Sequence, residues 1–176
     1  RVQCNFSMCR SRDQGSVPAS TQGVSYILCI KVVNPEDFVN PGVHGIVVTF
    51  KPDVDTLRRL LVSLTGQLER VIVIDNSPRG DAHAQEACAR FRAGQITVLR
   101  LGRNVGVAQA VNMGIELAFA DAATHVLLSD QDSLPADDMV PQLRKAEECL
   151  LVTGIPVGAV GPTYTDQNTG RAFPFQ

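Results

Sequence analysis

The sequence contains no tryptophan, and aromatic residues make up only 5% of it. A stacking platform for bases or for a long sugar chain is therefore a poor reading. It also lacks a basic run: 16 Lys and Arg stand against 18 Asp and Glu, a net charge of −2. No nucleic-acid partner is expected from that balance. The five cysteines, Cys4, Cys9, Cys29, Cys88 and Cys149, are odd in number and form no C-x-x-C pair. Neither a zinc site nor a disulfide framework is supported, and a reducing compartment is the simpler expectation. Cys88 and Cys149 fall on expected helices and read as small core residues. No stretch reaches the ~18–20 apolar residues of a membrane span; "VSYILCIKVV" (24–33) is short and carries Lys31. The histidines His44, His83 and His125 share no ligand spacing and read as structural or solvated.

What the chain does have is apolar content. At 176 residues and 44% hydrophobic, it can bury a core without staples. The first 43 residues show no sustained period. They read as an extension of unassigned role, either poorly ordered or adding an edge strand. From residue 44 the pattern becomes regular. Short β-branched runs, "GIVVTF" (45–50), "RVIVID" (70–75), "ITVLRL" (96–101) and "THVLLSD" (124–130), alternate with helical patterns over 52–68, 81–94, 105–122 and 136–152. Asp53 suits an N-cap, and Pro141 must lie in a first turn or kink its helix. Val107, Ala110, Val111, Gly114, Ile115 and Ala118 share one face of the third helix. "PVGAVGP" (156–162) reads as a fifth strand. Apolar strands alternating with helices predict an α/β fold, a mostly parallel sheet covered on both faces.

In such a sheet, ligands sit beyond the carboxyl ends of the strands. Those ends carry Thr49-Phe50-Lys51, Asp75-Asn76-Ser77, Gly102-Arg103-Asn104-Val105-Gly106 and Asp130-Gln131-Asp132. Asp75-Asn76-Ser77-Pro78 also suits a plain turn, and Asn104 also suits a helix cap. Asp130 and Asp132 are different. Alternate residues of a strand share a side, so two like charges meet at one mouth. That is costly unless a cation or water intervenes. A hard divalent ion, Mg²⁺ or Mn²⁺, takes one or two carboxylates and completes its shell with water and phosphate.

Four motifs in this order, "IVVTFKPD", "VIVIDNSP", "RNVGVAQAVNMGI" and "HVLLSDQDSLP", resemble the donor-binding half of the family 2 glycosyltransferases. The Asp-Gln-Asp form and "VGAVGPTYTDQNTGRAFPF" resemble the bacterial rhamnosyltransferase branch. The resemblance implies a GT-A-type fold, Rossmann-like and mostly parallel with helices on both faces. It implies that 44–176 is the nucleotide-sugar-binding half, with the acceptor half outside this chain. Thr49 and Phe50 would line the nucleoside pocket and Asp75 would read the base. Asn104, with the backbone of 104–106, would lie near ribose or diphosphate. Asp130 would approach the ribose or the metal, and Asp132 would hold the metal.

The implied reaction is inverting transfer of a sugar to a polysaccharide or lipid-linked glycan acceptor. dTDP-rhamnose is the favoured donor and a UDP-sugar the next. The family's general base lies well downstream of Asp-x-Asp, and no residue here matches it. A cytoplasmic protein, peripheral to the inner membrane in its full length, is the implied setting. Two other readings remain open: a catalytically silent nucleotide-binding fragment or partner subunit, and a sugar nucleotidyltransferase. "TFKPDVD" lacks the Gly-rich basic loop expected of the latter.

Overall fold

The computed structural model describes residues 42–154 and 157–162, together with the backbone of 164–165 and 172–173. In chain order the elements are β1 (Gly42–Thr49), α1 (Val54–Thr65), β2 (Arg70–Asp75), α2 (His83–Cys88) and β3 (Ile96–Arg100). Next come α3 (Val107–Ala120), β4 (Ala123–Asp130) and α4 (Met139–Val152). Two short strands, β5 (Tyr164–Thr165) and β6 (Ala172–Phe173), form a separate antiparallel pair. The main sheet has the order β3-β2-β1-β4, and every pairing in it is parallel. This is the Rossmann-like α/β architecture the sequence pattern predicts.

The strand period of two sorts the apolar side chains. Val47, Val71, Val73 and Leu127 face one way and pack with Leu57, Leu60, Leu61 and Leu64 of α1 and with residues of α2 and α4. Ile46, Ile72, Ile74 and Val126 face the other way and pack with Ala110 and Ala118 of α3. Each fully buried Val, Leu or Ile contributes roughly 1.5–3 kcal/mol, so the two layers hold the sheet from both sides. The fit on the α3 side is close. A Cβ on Gly114 would lie 2.6 Å from Ile46 Cγ2, so only glycine lets this helix approach β1 as it does.

Local chemistry sets the helix ends. Asp53 caps α1 as expected, accepting the Thr56 N–H at 2.8 Å. Pro141 sits in the first turn of α4, where its missing N–H costs nothing. Gly106, at φ 87°, opens α3 in a conformation closed to other residues.

Several expectations are corrected. Residues 157–162 form no strand; Gly158, Gly161 and Pro162 spoil a ladder, although Val160 still packs on the core. Helix α2 is far shorter than 81–94, because the chain turns after Cys88. Val107 is exposed rather than on the buried face of α3, and Cys149 is exposed rather than in the core. β1 begins at Gly42, two residues before the expected start of the regular region; the rest of the N-terminal extension lies outside the described residues. Among the described residues, no helix is long and apolar enough to cross a membrane.

Candidate active site

Parallel pairing brings the carboxyl ends of all four main strands to one rim. Register fixes the neighbours there. Thr49 lies opposite Asp75, Asp75 opposite Arg100, and Val48 opposite Asp130. β1 separates β2 from β4, so Asp75 and Asp130 stand two interstrand spacings apart, about 10 Å.

Asp75 is 2% exposed, and each of its oxygens has a partner. Its Oδ1 accepts the Ser77 N–H at 3.1 Å and its Oδ2 accepts Gln85 Nε2 at 3.2 Å. Arg100 Nε lies 3.8 Å from Oδ2. A buried carboxylate needs such company. Its charge is felt nearby: burial first, then Asp75, pushes the Cys88 thiol up to about 11. Cys88 is thus a poor nucleophile.

Thr49 is fully buried, and its hydroxyl has no hydrogen-bond partner among the described residues. It lies below the surface of the rim. Phe50, 42% exposed, stands at the surface of the rim. The Phe50 N–H donates to Gln131 Oε1 at 2.8 Å, and Gln131 Nε2 donates back to the Phe50 carbonyl at 3.4 Å. The central residue of Asp-Gln-Asp therefore ties the end of β4 to the end of β1. Lys51 follows with φ 46°, a left-handed backbone that costs a side-chain-bearing residue roughly 1–2 kcal/mol. Its N–H donates to Ser77 Oγ at 2.9 Å, and its ammonium lies 5.7 Å from the Phe50 ring centre.

Asn104 serves the loop before α3. Its Oδ1 accepts Asn76 Nδ2 at 3.0 Å and the Gly106 N–H at 2.8 Å, while Asn76 Oδ1 accepts the Val105 N–H at 2.8 Å. Two of the amides in 104–106 are thus consumed inside the protein. The amides free of intrahelical acceptors are those of the first turn of α3.

Asp130 is partly buried and Asp132 exposed, both at the mouth of β4. Asp130 shares the α3 side of the sheet with Val126, which belongs to that layer. Among the described residues, no group of three His, Cys, Asp or Glu side chains gathers as a self-sufficient metal cage. A hard cation here would draw the rest of its shell from ligand oxygens and water, the habit of Mg²⁺ and Mn²⁺ beside phosphates.

Sequence reasoning passed over Gln131, Lys51, Asn76 and Ser77 as site residues, although all stand in the strand-end list. It read His125 as structural or solvated but did not find the buried group that residue joins near the amino end of β4, remote from the rim. There His125 Nε2 lies 3.1 Å from Glu147 Oε1 and 2.8 Å from Arg144 Nη1, and Arg144 also pairs with Glu147. Helical i,i+3 spacing of Arg144 and Glu147 was the available signal.

The chain belongs to glycosyl transferase family 2, whose profile matches residues 46–164. That span runs from β1 to the first residue of β5. A particular relative is the dTDP-rhamnosyl transferase RfbF of Shigella flexneri, 26% identical over 136 residues. The match takes in 77% of this chain but 43% of that protein, so the chain spans less than half the relative's length. Among solved structures, the mannosyltransferase PcManGT of Pyrobaculum calidifontis, in complex with GDP-Man and Mn²⁺, aligns with a TM-score of 0.49 and 23% identity. That alignment covers 60% of this chain and 32% of the other.

Proposed function

We propose that this chain is the nucleotide-sugar-binding part of a family 2 glycosyltransferase that transfers a hexose, L-rhamnose from dTDP-rhamnose being favoured, to a hydroxyl of a glycan acceptor. The observation that carries the reading is the gathering of all four strand-end motifs on one rim, within a chain of this family. The favoured donor rests on the kinship with a dTDP-rhamnosyl transferase.

In this reading the base lies over β2, where Asp75 accepts a hydrogen bond from a ring N–H. Gln85 and Arg100 hold that carboxylate in place, so little reorganisation is needed on binding. Phe50 walls the nucleoside pocket and Thr49 underlies it. Asn104 fixes the loop that presents the first turn of α3 to ribose or diphosphate, where the helix dipole favours anions. The diphosphate extends across β1 toward β4.

Asp132, with Asp130, would hold a divalent cation, Mg²⁺ or Mn²⁺. When bound, such an ion stabilises the charge that grows on the diphosphate leaving group. The protein's own contribution is orientation: Gln131 keeps the metal-side carboxylates in fixed relation to the Phe50 wall. An inverting transfer also requires a base to take the acceptor proton. The acceptor-binding half and that base are proposed to lie outside this chain.

The test is calorimetric titration of the folded chain with dTDP, UDP and GDP, each with and without Mn²⁺. Metal-dependent binding that prefers dTDP is expected. A folded chain that binds none of the three would overturn the donor-site reading.

A further inference from the structure

We infer that the Lys51 ammonium is the side-chain contact for the phosphate groups of the bound nucleotide, and that the strained backbone at Lys51 is what aims it. The inference rests on the donor-site reading above and deepens it.

Three observations converge. The first is conformational. Lys51 and Ala122 are the two residues other than glycine with positive φ among the described residues. Lysine has no local means of relieving that conformation; asparagine, which has one, or glycine suits it better. Such outliers persist only where the surroundings over-determine them, and they concentrate at functional sites. Here the surroundings do so on both sides. Ser77 Oγ holds the Lys51 N–H, and Gln131 holds both backbone groups of Phe50.

The second observation is where the charge goes. The ammonium rests 5.7 Å from the centre of the half-exposed Phe50 ring. A cation on an aromatic face is attracted to it without being neutralised. Lys51 forms no salt bridge among the described residues, whereas Arg100 faces Asp75 and donates to the Asp81 carbonyl.

The third is position and charge balance. Lys51 follows β1, between the β2 end that carries Asp75 and the β4 end that carries Asp130. A nucleotide laid from base to diphosphate across that rim passes β1 midway. The rim also carries the exposed Asp132 carboxylate, which repels a diphosphate. One divalent ion does not offset both, and a directed ammonium supplies part of the difference.

The experiment compares the parent chain with Lys51→Met, Lys51→Arg and Lys51→Asn. Dissociation constants for dTDP and for thymidine are measured in Mn²⁺, with far-UV circular dichroism as the folding check. Lys51→Met is expected to weaken dTDP by about ten- to a hundredfold, the loss of one hydrogen bond to a charged group. Thymidine affinity should stay as in the parent, and Lys51→Arg should keep most of the dTDP affinity. Lys51→Asn should lose dTDP affinity as Lys51→Met does while melting at a higher temperature, because asparagine relaxes the backbone. An unchanged dTDP affinity in Lys51→Met, or an equal loss for thymidine and dTDP, overturns the inference and leaves the donor site standing. A parent chain that binds no dTDP overturns both.

Discussion

The packing of α3 on the sheet at Gly114 gives the sharpest prediction. In Gly114→Ala the new Cβ would lie 2.6 Å from Ile46 Cγ2, 3.4 Å from Ile74 Cγ1 and 3.5 Å from Ile46 Cδ1. Both isoleucines are buried, so neither can swing into solvent. Overpacking of this kind costs about 1–3 kcal/mol. Alanine in mid-helix returns about 1 kcal/mol over glycine. The net expectation is a loss of roughly 0–2 kcal/mol, measured by urea unfolding of the chain. A double-mutant cycle with Ile46→Ala isolates the cause. Ile46→Ala alone should cost about 2–5 kcal/mol, but it removes the atom that the new methyl meets. The double variant should therefore be more stable than the sum predicts, by about 0.5 kcal/mol or more. Two results would refute the reasoning: a Gly114→Ala variant stabilised by the full helix propensity of alanine, or strict additivity in the cycle.

Three further outcomes follow from the same coordinates. Asp132→Ala should abolish Mn²⁺-dependent nucleotide binding while leaving the melting temperature unchanged, since the residue is exposed; binding equal to the parent's would move the metal elsewhere. Asp75→Ala should weaken nucleoside binding by roughly 1–3 kcal/mol, and it should also lower stability, because Ser77 and Gln85 lose a buried acceptor; an effect on stability without one on affinity would remove Asp75 from the base pocket. His44 is buried, and burial holds its pKa below the ordinary 6.5 despite the opposing pull of Asp121. The unfolded chain therefore binds a proton that the folded chain refuses, so this contribution is complete above about pH 6.5 and is lost as pH falls below it. The stability advantage of the parent over His44→Gln should shrink on acidification from about pH 7.5 to 5.5, and a constant advantage would exclude His44 as the cause.

Much of the fold was legible because its signals are local. β-branched runs marked β1, β2 and β4, Asp53 marked the start of α1, and Pro141 marked the first turn of α4. The failures are local ambiguities of the same kind. "PVGAVGP" has the composition of a buried strand, but its glycines and prolines do not sustain a ladder. The stretch "ARFRAG" after Cys88 consists mostly of helix-compatible residues and reads as helix until the chain turns. Cys149 was misplaced because hydrophobic character alone does not fix helical phase.

At the rim, position was readable but partnership was not. The strand-end rule picked out Asp75, Asn104 and Asp130. The bonds that organise them join residues distant in sequence: Phe50 to Gln131 across 81 residues, and Asn76 to Asn104 across 28. Those follow from topology, which composition and period leave open.

The strand order also carries a consequence for how the protein comes into being. β1, β2 and β3 are joined by successive short crossovers, and this part of the sheet closes through contacts near in sequence. β4 must return to the far side of β1, where the Thr124 hydroxyl meets the Gly42 carbonyl across 82 residues. Closing so long a loop is slow relative to the local crossovers. The strand that bears Asp130 and leads into Asp132 is therefore expected to dock last, and the Gln131 clamp to form with it. On the proposed donor-site reading, such a half-folded chain would offer the nucleoside side of the rim but not the metal side. A ligand that spans both selects the completed fold and stabilises it in proportion to its concentration. Nucleotide with metal should therefore act on this chain as a folding aid, and refolding yield becomes a second readout of the same site.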